Sequence, residues 1–382
     1  QGQDLSTFVN LVDNQINIQG IVNAVGKNGA FNNGHAVFIS PNGMVVGSSG
    51  VLNVGSLTVL TPDSNSYEKY KSDLKRPSLI ADYKSKLGEG NATVKIDGKV
   101  LARNFVDINA ANLQVSPDAQ FIAGVKDATK ILSNTQAEAL FNQLVNADNM
   151  SANSFANDNG SIIIRTYGEN GGTDIAGTMK NFGTGSTEIT NLGSKGINVS
   201  GKSLNGNGDT LLVNKNGEVN VSGTVANKGG KLLVDNTGSG VLIASTGLLS
   251  NQGGELIVTN TGNDGVSIAN GGLVKNSTHS ANIINSGKNG INVKGHVNAN
   301  GINITNKNSN VILGDYTGSN NLNSTGNVNI KINDGNLLNY GTKETLTKAS
   351  KNLDIDVQNG MVGQEVGPCD GGVCTGIGPN GR

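Results

Sequence analysis

The sequence has no tryptophan, and aromatic residues make up only 4% of its 382 residues. Charged residues are 15% of the chain, whereas about 25% is usual. The net charge is −1, so no excess of Lys and Arg is available to bind phosphates. No apolar run approaches the roughly 18 residues that a membrane-spanning helix needs. These shortages exclude a nucleic-acid binder that relies on a basic surface, and they predict no membrane span.

Small polar residues are abundant instead, with 55 Gly and 58 Asn. Glycine has no strict three-residue period, which excludes a collagen helix. Val, Ile and Leu recur steadily along the whole chain, which argues against full disorder. With so few large side chains, the chain can build a core only one side chain deep, and this is typical of a solenoid.

Short apolar motifs recur along the second half of the chain. Three opening motifs, Leu211–Val213, Leu232–Val234 and Leu256–Val258, start 21 and 24 residues apart. Each is followed by a turn rich in Asn and Gly and then by a second apolar pair: Val219/Val221, Val241/Ile243, Val266/Ile268 and Ile291/Val293. A third short element follows at Val225, Leu248, Leu273 and Val297. Apolar and polar residues alternate within each element, which indicates short strands.

Three strands per repeat predict an all-β fold, a right-handed parallel β-helix whose coils stack about 4.8 Å apart. Stacked Asn side chains are expected to form ladders along it. We divide the chain into coils at 1–66 and 92–126, helical insertions on the flank at 67–91 and 127–150, fibre coils at 151–362 and an irregular segment at 363–382. The first insertion is rich in charge and broken at Arg76-Pro77. In the second, Thr135 and Glu138 match a capping box, and Ala137, Leu140, Phe141, Leu144 and Val145 form one apolar face.

Motifs that could carry chemistry are weak. Residues 196–203 match the phosphate-binding pattern G-x-x-x-x-G-K-S, but the repeat predicts strands where that loop needs a strand followed by a helix. Asp354 and Asp356 share one strand face, yet paired carboxylates in a sugar-cleaving site are usually accompanied by Arg and aromatic residues. The calcium-like segments 205–209 and 261–265 occur singly. Sequons, as at Asn91 and Asn303, follow from composition. We therefore expect no catalytic residue, no cofactor and no metal.

The two cysteines, Cys369 and Cys374, lie close together near the end of the sequence. They could form a disulfide in an oxidising compartment. Their spacing is not that of a zinc site without a second pair of ligands. The start of the sequence has no basic, apolar leader, and we expect the chain to be a segment of a longer one.

Residues 35–62 read HAVFISPNGMVVGSSGVLNVGSLTVLTP. They resemble the secretion domain of filamentous haemagglutinin-type exoproteins, whose consensus is close to VFLINPNGIxFG followed by a VxVGxL run. Ser40, Pro41, Asn42, Gly43 and Met44 stand in place of NPNGI, with Ser for Asn at the first position. An upstream NPNL motif of the family is absent. Residues 9–25, the charged insertion and residues 191–201 are closer to leukotoxin-type giant filamentous adhesins of anaerobic bacteria.

The resemblance implies a secreted adhesin at the bacterial cell surface, exported unfolded through a partner outer-membrane transporter. It also implies a receptor that is a protein or glycan. On this interpretation Ser40–Met44 is a turn that nucleates the first coils, docks the transporter, or does both. Two alternatives stay open: a β-helical polysaccharide lyase, hydrolase or tail-spike-like protein, and the carrier stalk of a toxin.

Overall fold

The computed structural model describes residues 6–73, 82–125, 132–147, 160–314, 321–340 and 347–364. The chain divides into two compact units, Gln1–Asp209 and Thr210–Arg382. Each unit winds as a parallel β-solenoid with three short strands per coil. The predicted right-handed parallel β-helix with small helical insertions is confirmed. No helix in the described ranges is long and apolar enough to cross a membrane.

Unit 1 has six coils, whose strands stack as three parallel faces. Face 1 consists of β1 (Thr7–Leu11), β4 (His35–Ile39), β7 (Ser56–Leu60), β10 (Phe105–Ala110), β13 (Ser161–Thr166) and β16 (Thr187–Asn191). Face 2 consists of β2 (Ile16–Ile18), β5 (Met44–Val46), β8 (Thr93–Ile96), β11 (Asn112–Val115), β14 (Gly172–Ile175) and β17 (Gly196–Val199). Face 3 consists of β3 (Ile21–Asn23), β6 (Val51–Val54), β9 (Lys99–Ala102), β12 (Gln120–Ala123), β15 (Thr178–Asn181) and β18 (Lys202–Asn205). Described strands lie in both segments predicted to form coils, 1–66 and 92–126.

Unit 2 repeats the plan in seven coils, and two of its strands bend around a corner. Face 1 consists of β19 (Thr210–Asn214), β22 (Leu232–Asn236), β25 (Leu256–Asn260), the second parts of β27 (Leu273–Asn285) and β29 (His296–Asn308), β32 (Val328–Asp334) and β35 (Leu353–Asn359). Face 2 consists of β20 (Val219–Val221), β23 (Gly240–Ile243), β26 (Gly265–Ile268), β28 (Ile291–Val293), β30 (Val311–Leu313), β33 (Leu337–Asn339) and β36 (Val362–Gln364). Face 3 consists of β21 (Thr224–Asn227), β24 (Leu248–Asn251), the first parts of β27 and β29, β31 (Leu322–Ser324) and β34 (Thr347–Ala349).

The pairing register corrects the predicted repeat by one residue. Leu211 pairs with Leu233, so the first two opening motifs are out of step by one position. On face 3, Val225 pairs with Leu249, and Leu249 pairs with Val274, where Leu248 and Leu273 were predicted. Where two aliphatic residues are adjacent, as in Leu-Leu-Val, the sequence does not show which of them faces inward, because either choice of alternating positions places an aliphatic side chain in the core.

Three helices lie in the described part of unit 1: α1 (Ser64–Asp73), α2 (Tyr83–Lys86) and α3 (Asn134–Asn146). Helix α1 begins three residues before the predicted insertion. The Asp63 carboxylate accepts hydrogen bonds from the Ser66 hydroxyl and, at 2.9 Å, from the Ser66 backbone N–H. These two bonds, that from the hydroxyl first, lower the pKa of Asp63. The predicted break at Arg76-Pro77 lies outside the described residues.

The capping box of α3 is not the predicted Thr135/Glu138 pair. It is formed by Ser133 and Gln136, with Gln136 donating its backbone N–H to the Ser133 hydroxyl and Ser133 donating its own to the Gln136 side chain at 3.0 Å. Ser133 is extended while Thr135 is already helical, so only Ser133 can cap. The predicted apolar face is confirmed: Ala137, Phe141 and Leu144 are buried, and Leu140 and Val145 pack beside them.

Candidate functional site: the Ser40–Met44 turn and its supports

The Ser40–Met44 turn joins β4 to β5 in the second coil of unit 1. The Gly43 backbone N–H donates to the Ser40 carbonyl at 3.3 Å, which closes the turn. Asn42 has a negative φ, so the turn is not type II and fits type I. Gly43 has a φ of +82°, and a Cβ there would overlap the Thr93 carbonyl oxygen of the next coil. The position therefore requires glycine on two independent grounds.

Ser40 connects three successive coils although its side chain is short. Its hydroxyl donates to the Asn14 carbonyl at 2.7 Å and accepts the Asn42 backbone N–H at 3.1 Å. Its own backbone N–H donates to the Leu60 carbonyl at 3.1 Å. The residue is 1% exposed, so these bonds satisfy a buried polar group. A serine therefore suffices to hold the first position of the turn.

Asn42 and Asp13 link the turn to helix α1. The Asn42 Nδ2 donates to the Asp13 carbonyl at 2.6 Å. The Asp13 carboxylate accepts from the Lys71 Nζ at 2.7 Å and from the Tyr67 hydroxyl at 2.8 Å. These bonds, that from Lys71 first, lower the pKa of Asp13, and the same contact raises the pKa of Lys71. Burial, and secondly the bond to Asp13, raises the pKa of Tyr67.

Lys180 holds helix α3 against face 3 of unit 1. Its side chain is 1% exposed, and its Nζ donates to the carbonyls of Leu144 at 3.0 Å and Ala147 at 2.8 Å. The ammonium also lies 4.6 Å from the ring centroid of Phe182. The last carbonyls of a helix have no partner within the helix and carry partial negative charge, so a buried cation is stabilised there. Lys180 thus ties the second insertion to the solenoid.

The expected asparagine ladders are present inside the coils. In unit 2, Asn214, Asn236, Asn260 and Asn285 each donate from Nδ2 to the Oδ1 of the asparagine one coil further on, at 2.6–2.8 Å. The last acceptor is Asn306, and on face 3 Asn227 donates in the same way to Asn251. The remaining Nδ2 hydrogens bind turn carbonyls, as from Asn260 to Gly262 at 2.8 Å. Each ladder therefore joins neighbouring coils and closes a turn at the same time.

The segment that matches a phosphate-binding loop is two strands, as predicted. Gly196 and Ile197 begin β17, and Lys202 and Ser203 begin β18. Gly196 pairs with Gly172 of the preceding coil. No described helix follows, so the backbone N–H groups do not converge as a phosphate site requires.

The other predicted sites are dispersed. Asp354 and Asp356 lie exposed on β35, beside Asn329 and Lys331 of the preceding coil. The segment 205–209 is a turn, closed by Asn205 Nδ2 donating to the Asp209 carbonyl at 3.1 Å. Among the described residues, no three His, Cys, Asp or Glu side chains are grouped so as to hold a metal. Cys369 and Cys374 lie outside the described residues.

A concave space of about 690 Å³ opens beside the first two coils of unit 1. Its walls include Phe8, Val22, Phe38 and the hairpin residue Val25. Phe8 and Val22 point inward like the buried side chains of later coils, yet they are 55% and 39% exposed. The hollow is therefore lined in part by inward-facing side chains of the first coil that remain exposed to solvent.

The chain matches no family model, no curated protein and no solved structure.

Proposed function

We propose that this chain is part of a secreted filamentous adhesin, comprising its secretion domain and its first fibre coils. In this proposal a partner outer-membrane transporter exports the chain, which folds at the bacterial cell surface and acts in adhesion, without a catalytic centre. The observation that carries the proposal is the Ser40–Met44 turn, which bonds to the coils on both sides of it. Such a turn fixes coil geometry early in the chain.

The parallel solenoid supports the same proposal on energetic grounds. Each coil offers an edge of unpaired backbone groups and an open apolar interior to the next coil. A chain emerging through a pore could therefore fold coil by coil without ATP, since every added coil buries apolar side chains and satisfies hydrogen bonds. The finished rod would resist proteases because most of its backbone groups are paired.

Asn42 offers a way to test the secretion role apart from folding. The chain, fused to a Sec signal peptide, would be expressed with and without a candidate outer-membrane partner transporter from the source organism. We expect export to the medium only with the transporter. We also expect Asn42→Ala to reduce export about tenfold, with little loss of stability, since one exposed hydrogen bond contributes about 1 kcal/mol.

Asn198→Ala is the matched control for this experiment. Asn198 is another unit 1 asparagine that bridges two coils, donating to the Asp174 carboxylate at 3.0 Å, but it lies far along the chain from the turn. It should leave export unchanged. Equal export with and without the transporter would contradict the proposal. Immunogold labelling of source cells with an antibody against this chain should decorate thin surface filaments.

A further inference from the structure

The outer side of face 1 in unit 2 carries a group of aliphatic side chains. Strand alternation directs Leu212, Val234 and Val258 inward, and their neighbours outward. The outward residues form two columns across β19, β22, β25 and β27. The aliphatic patch consists of Leu211, Leu233, Ile257, Val213 and Ile284. Ile284 is 40% exposed, and the other four are partly exposed.

Comparable columns in unit 1 are covered by the chain's own helices. Tyr67 and Tyr70 of α1 pack over Val37 and Ile39 of face 1. Helix α3 packs over an outer aliphatic column of face 3 in the same way. The described residues of unit 2 include no helix, and none of them covers the aliphatic patch. An exposed apolar group on an otherwise polar sheet marks an interaction surface.

We propose that the aliphatic patch docks against the same patch of a second copy of this chain. The two copies would be related by a two-fold axis parallel to the strands, passing between β22 and β25. Coils then run in opposite directions, each outward column faces its own counterpart, and β19 of one copy faces β27 of the other. Two flat sheets can pack in this way about 10 Å apart.

The order of side chains in the columns favours a second copy over an unrelated partner. One column reads Val213, Asp235, Thr259, Ile284 along the coils, which is apolar, polar, polar, apolar. Read in the opposite direction, this column has the same order of apolar and polar residues. The two-fold axis therefore sets Val213 against the partner's Ile284 and Asp235 against the partner's Thr259. A two-fold interface requires this kind of self-complementarity.

The second column and the charges fit the same axis. Leu233 would face the partner's Ile257 beside the axis, and Leu211 would face the partner's Asn282 at the edge of the interface. Asp235 is the only charged residue in the two outward columns of face 1 on these four strands, and it pairs with Lys215 at 3.8 Å in its own chain. Thr259 already donates to Asp235 at 3.1 Å, so a threonine hydroxyl suits that carboxylate. The axis brings the two Asp235 carboxylates within about one coil spacing of each other along the interface, and each keeps Lys215 and Thr259 of its own chain as partners.

The size of the patch sets the expected strength of association. Four strands at about 4.8 Å spacing and five residues at about 3.3 Å span roughly 19 by 16 Å, so a pair would bury roughly 600 Å². This area is typical of a weak contact between single copies. Repetition of such a contact along two rods would add avidity.

Sedimentation velocity over a concentration series tests the proposal. We expect the chain to form dimers at high concentration, and Leu233→Lys to raise the dissociation constant about tenfold or more by placing a charge at the centre of the interface. Leu242→Lys is the matched control, since Leu242 is a partly exposed leucine on the outer side of face 2. It should leave association unchanged. A wild-type chain that stays monomeric, or equal weakening by both variants, would overturn the proposal.

Cross-linking tests the register and does not depend on how Leu233→Lys folds. Cys369 and Cys374 would first be replaced by Ser, and Val213→Cys and Ile284→Cys then made in separate chains. A short bismaleimide should link the mixture of the two variants several times faster than either variant alone, because position 213 faces position 284 across the two-fold axis. Equal linking in all three samples would overturn the proposed axis.

Discussion

The two units share one coil plan but protect their outer surfaces differently. Unit 1 places aliphatic residues on the outside of faces 1 and 3 and covers them with its own helices, through Tyr67 on one side and Phe141 on the other. Unit 2 has outward aliphatic residues on face 1, such as Leu233, and no described helix over them. The outer face of a solenoid can therefore be completed from within the chain or left available to another molecule.

The interiors differ as well. At one inward corner of face 3, unit 1 begins with Val54, Ala102 and Ala123 and reaches asparagine only at Asn181. At the corresponding corner of face 3, unit 2 carries asparagine in its first three coils, at Asn227, Asn251 and Asn276. Its face 1 adds asparagine in five successive coils, from Asn214 to Asn306. Apolar residues at a corner depend on packing against other apolar side chains, whereas stacked asparagine side chains hydrogen-bond to each other from coil to coil. Unit 1 is thus stabilised more by apolar cover, and unit 2 more by internal polar repetition.

The largest effect is expected from breaking the ladder of unit 2 at Asn260. Its amide makes four hydrogen bonds, two with neighbouring ladder residues and two with the backbone of Gly262. Asn260→Ala would leave several buried partners unsatisfied, at about 1–3 kcal/mol each, so we expect a loss of about 4 kcal/mol. Chemical denaturation, followed by circular dichroism, would measure the free energy of unfolding.

Asn303→Ala is the control for the ladder. Asn303 also bonds to asparagines of both adjacent coils, but on the outer side of face 1, where water replaces the lost partners. Its loss should cost less than about 1 kcal/mol. Similar losses for both variants would mean that the stacked amides contribute equally whether buried or not, and that the interior ladder is not what stabilises unit 2.

A smaller effect is expected from weakening the cover of unit 1. Phe141 is fully buried between α3 and the outer side of face 3. Phe141→Ala should cost about 3 kcal/mol, since a large buried ring is lost and a cavity remains. Hydrogen exchange should show α3 opening first, with face 3 strands exposed next. Leu140→Ala, a half-buried neighbour, should cost less. Unchanged exchange in α3 would show that the helix is held without Phe141.

Periodicity in the sequence was sufficient to predict the solenoid and the positions of both insertions. Alternation of apolar and polar residues correctly gave the inward pairs of face 2 in unit 2, most plainly Val219/Val221, which has a polar residue between its two members. It failed by one residue at Leu211 and Leu248, where two aliphatic residues are adjacent. The buried asparagine that recurs in the first five face 1 strands of unit 2, starting with Asn214, is the signal that could have set the register.

The supports of the Ser40–Met44 turn could not be predicted from local sequence. Asp13 and Lys71 are 58 positions apart, and their contact depends on how α1 lies across the first coils. The role of Lys180 could not be predicted either, because a lysine on the outer side of a strand is usually solvated. The start of helix α1 after Asp63 could have been predicted from the sequence, since an aspartate three residues before Ser66 is a capping signal.

The smallest effect concerns the carboxylate that links the turn to α1. The pKa of Asp13 is lowered in the folded chain by Lys71 and Tyr67, so the protonated unfolded state is favoured as pH falls. The stabilisation that Asp13 contributes is fully present above the pKa of Asp13 in the unfolded chain, which is about 4. It is lost as pH falls through the lower pKa that Asp13 has in the folded chain. Glu68, 3.8 Å from the Lys71 Nζ, competes for the same ammonium. Because the Asp13–Lys71 pair is exposed, the effect on stability is small.

Melting temperatures measured between neutral and strongly acidic pH should show Asp13→Asn below the wild type at neutral pH, with the curves of the two proteins converging in acid. Parallel curves would mean that folding leaves the pKa of Asp13 unchanged, and the link between turn and helix would then not be electrostatic.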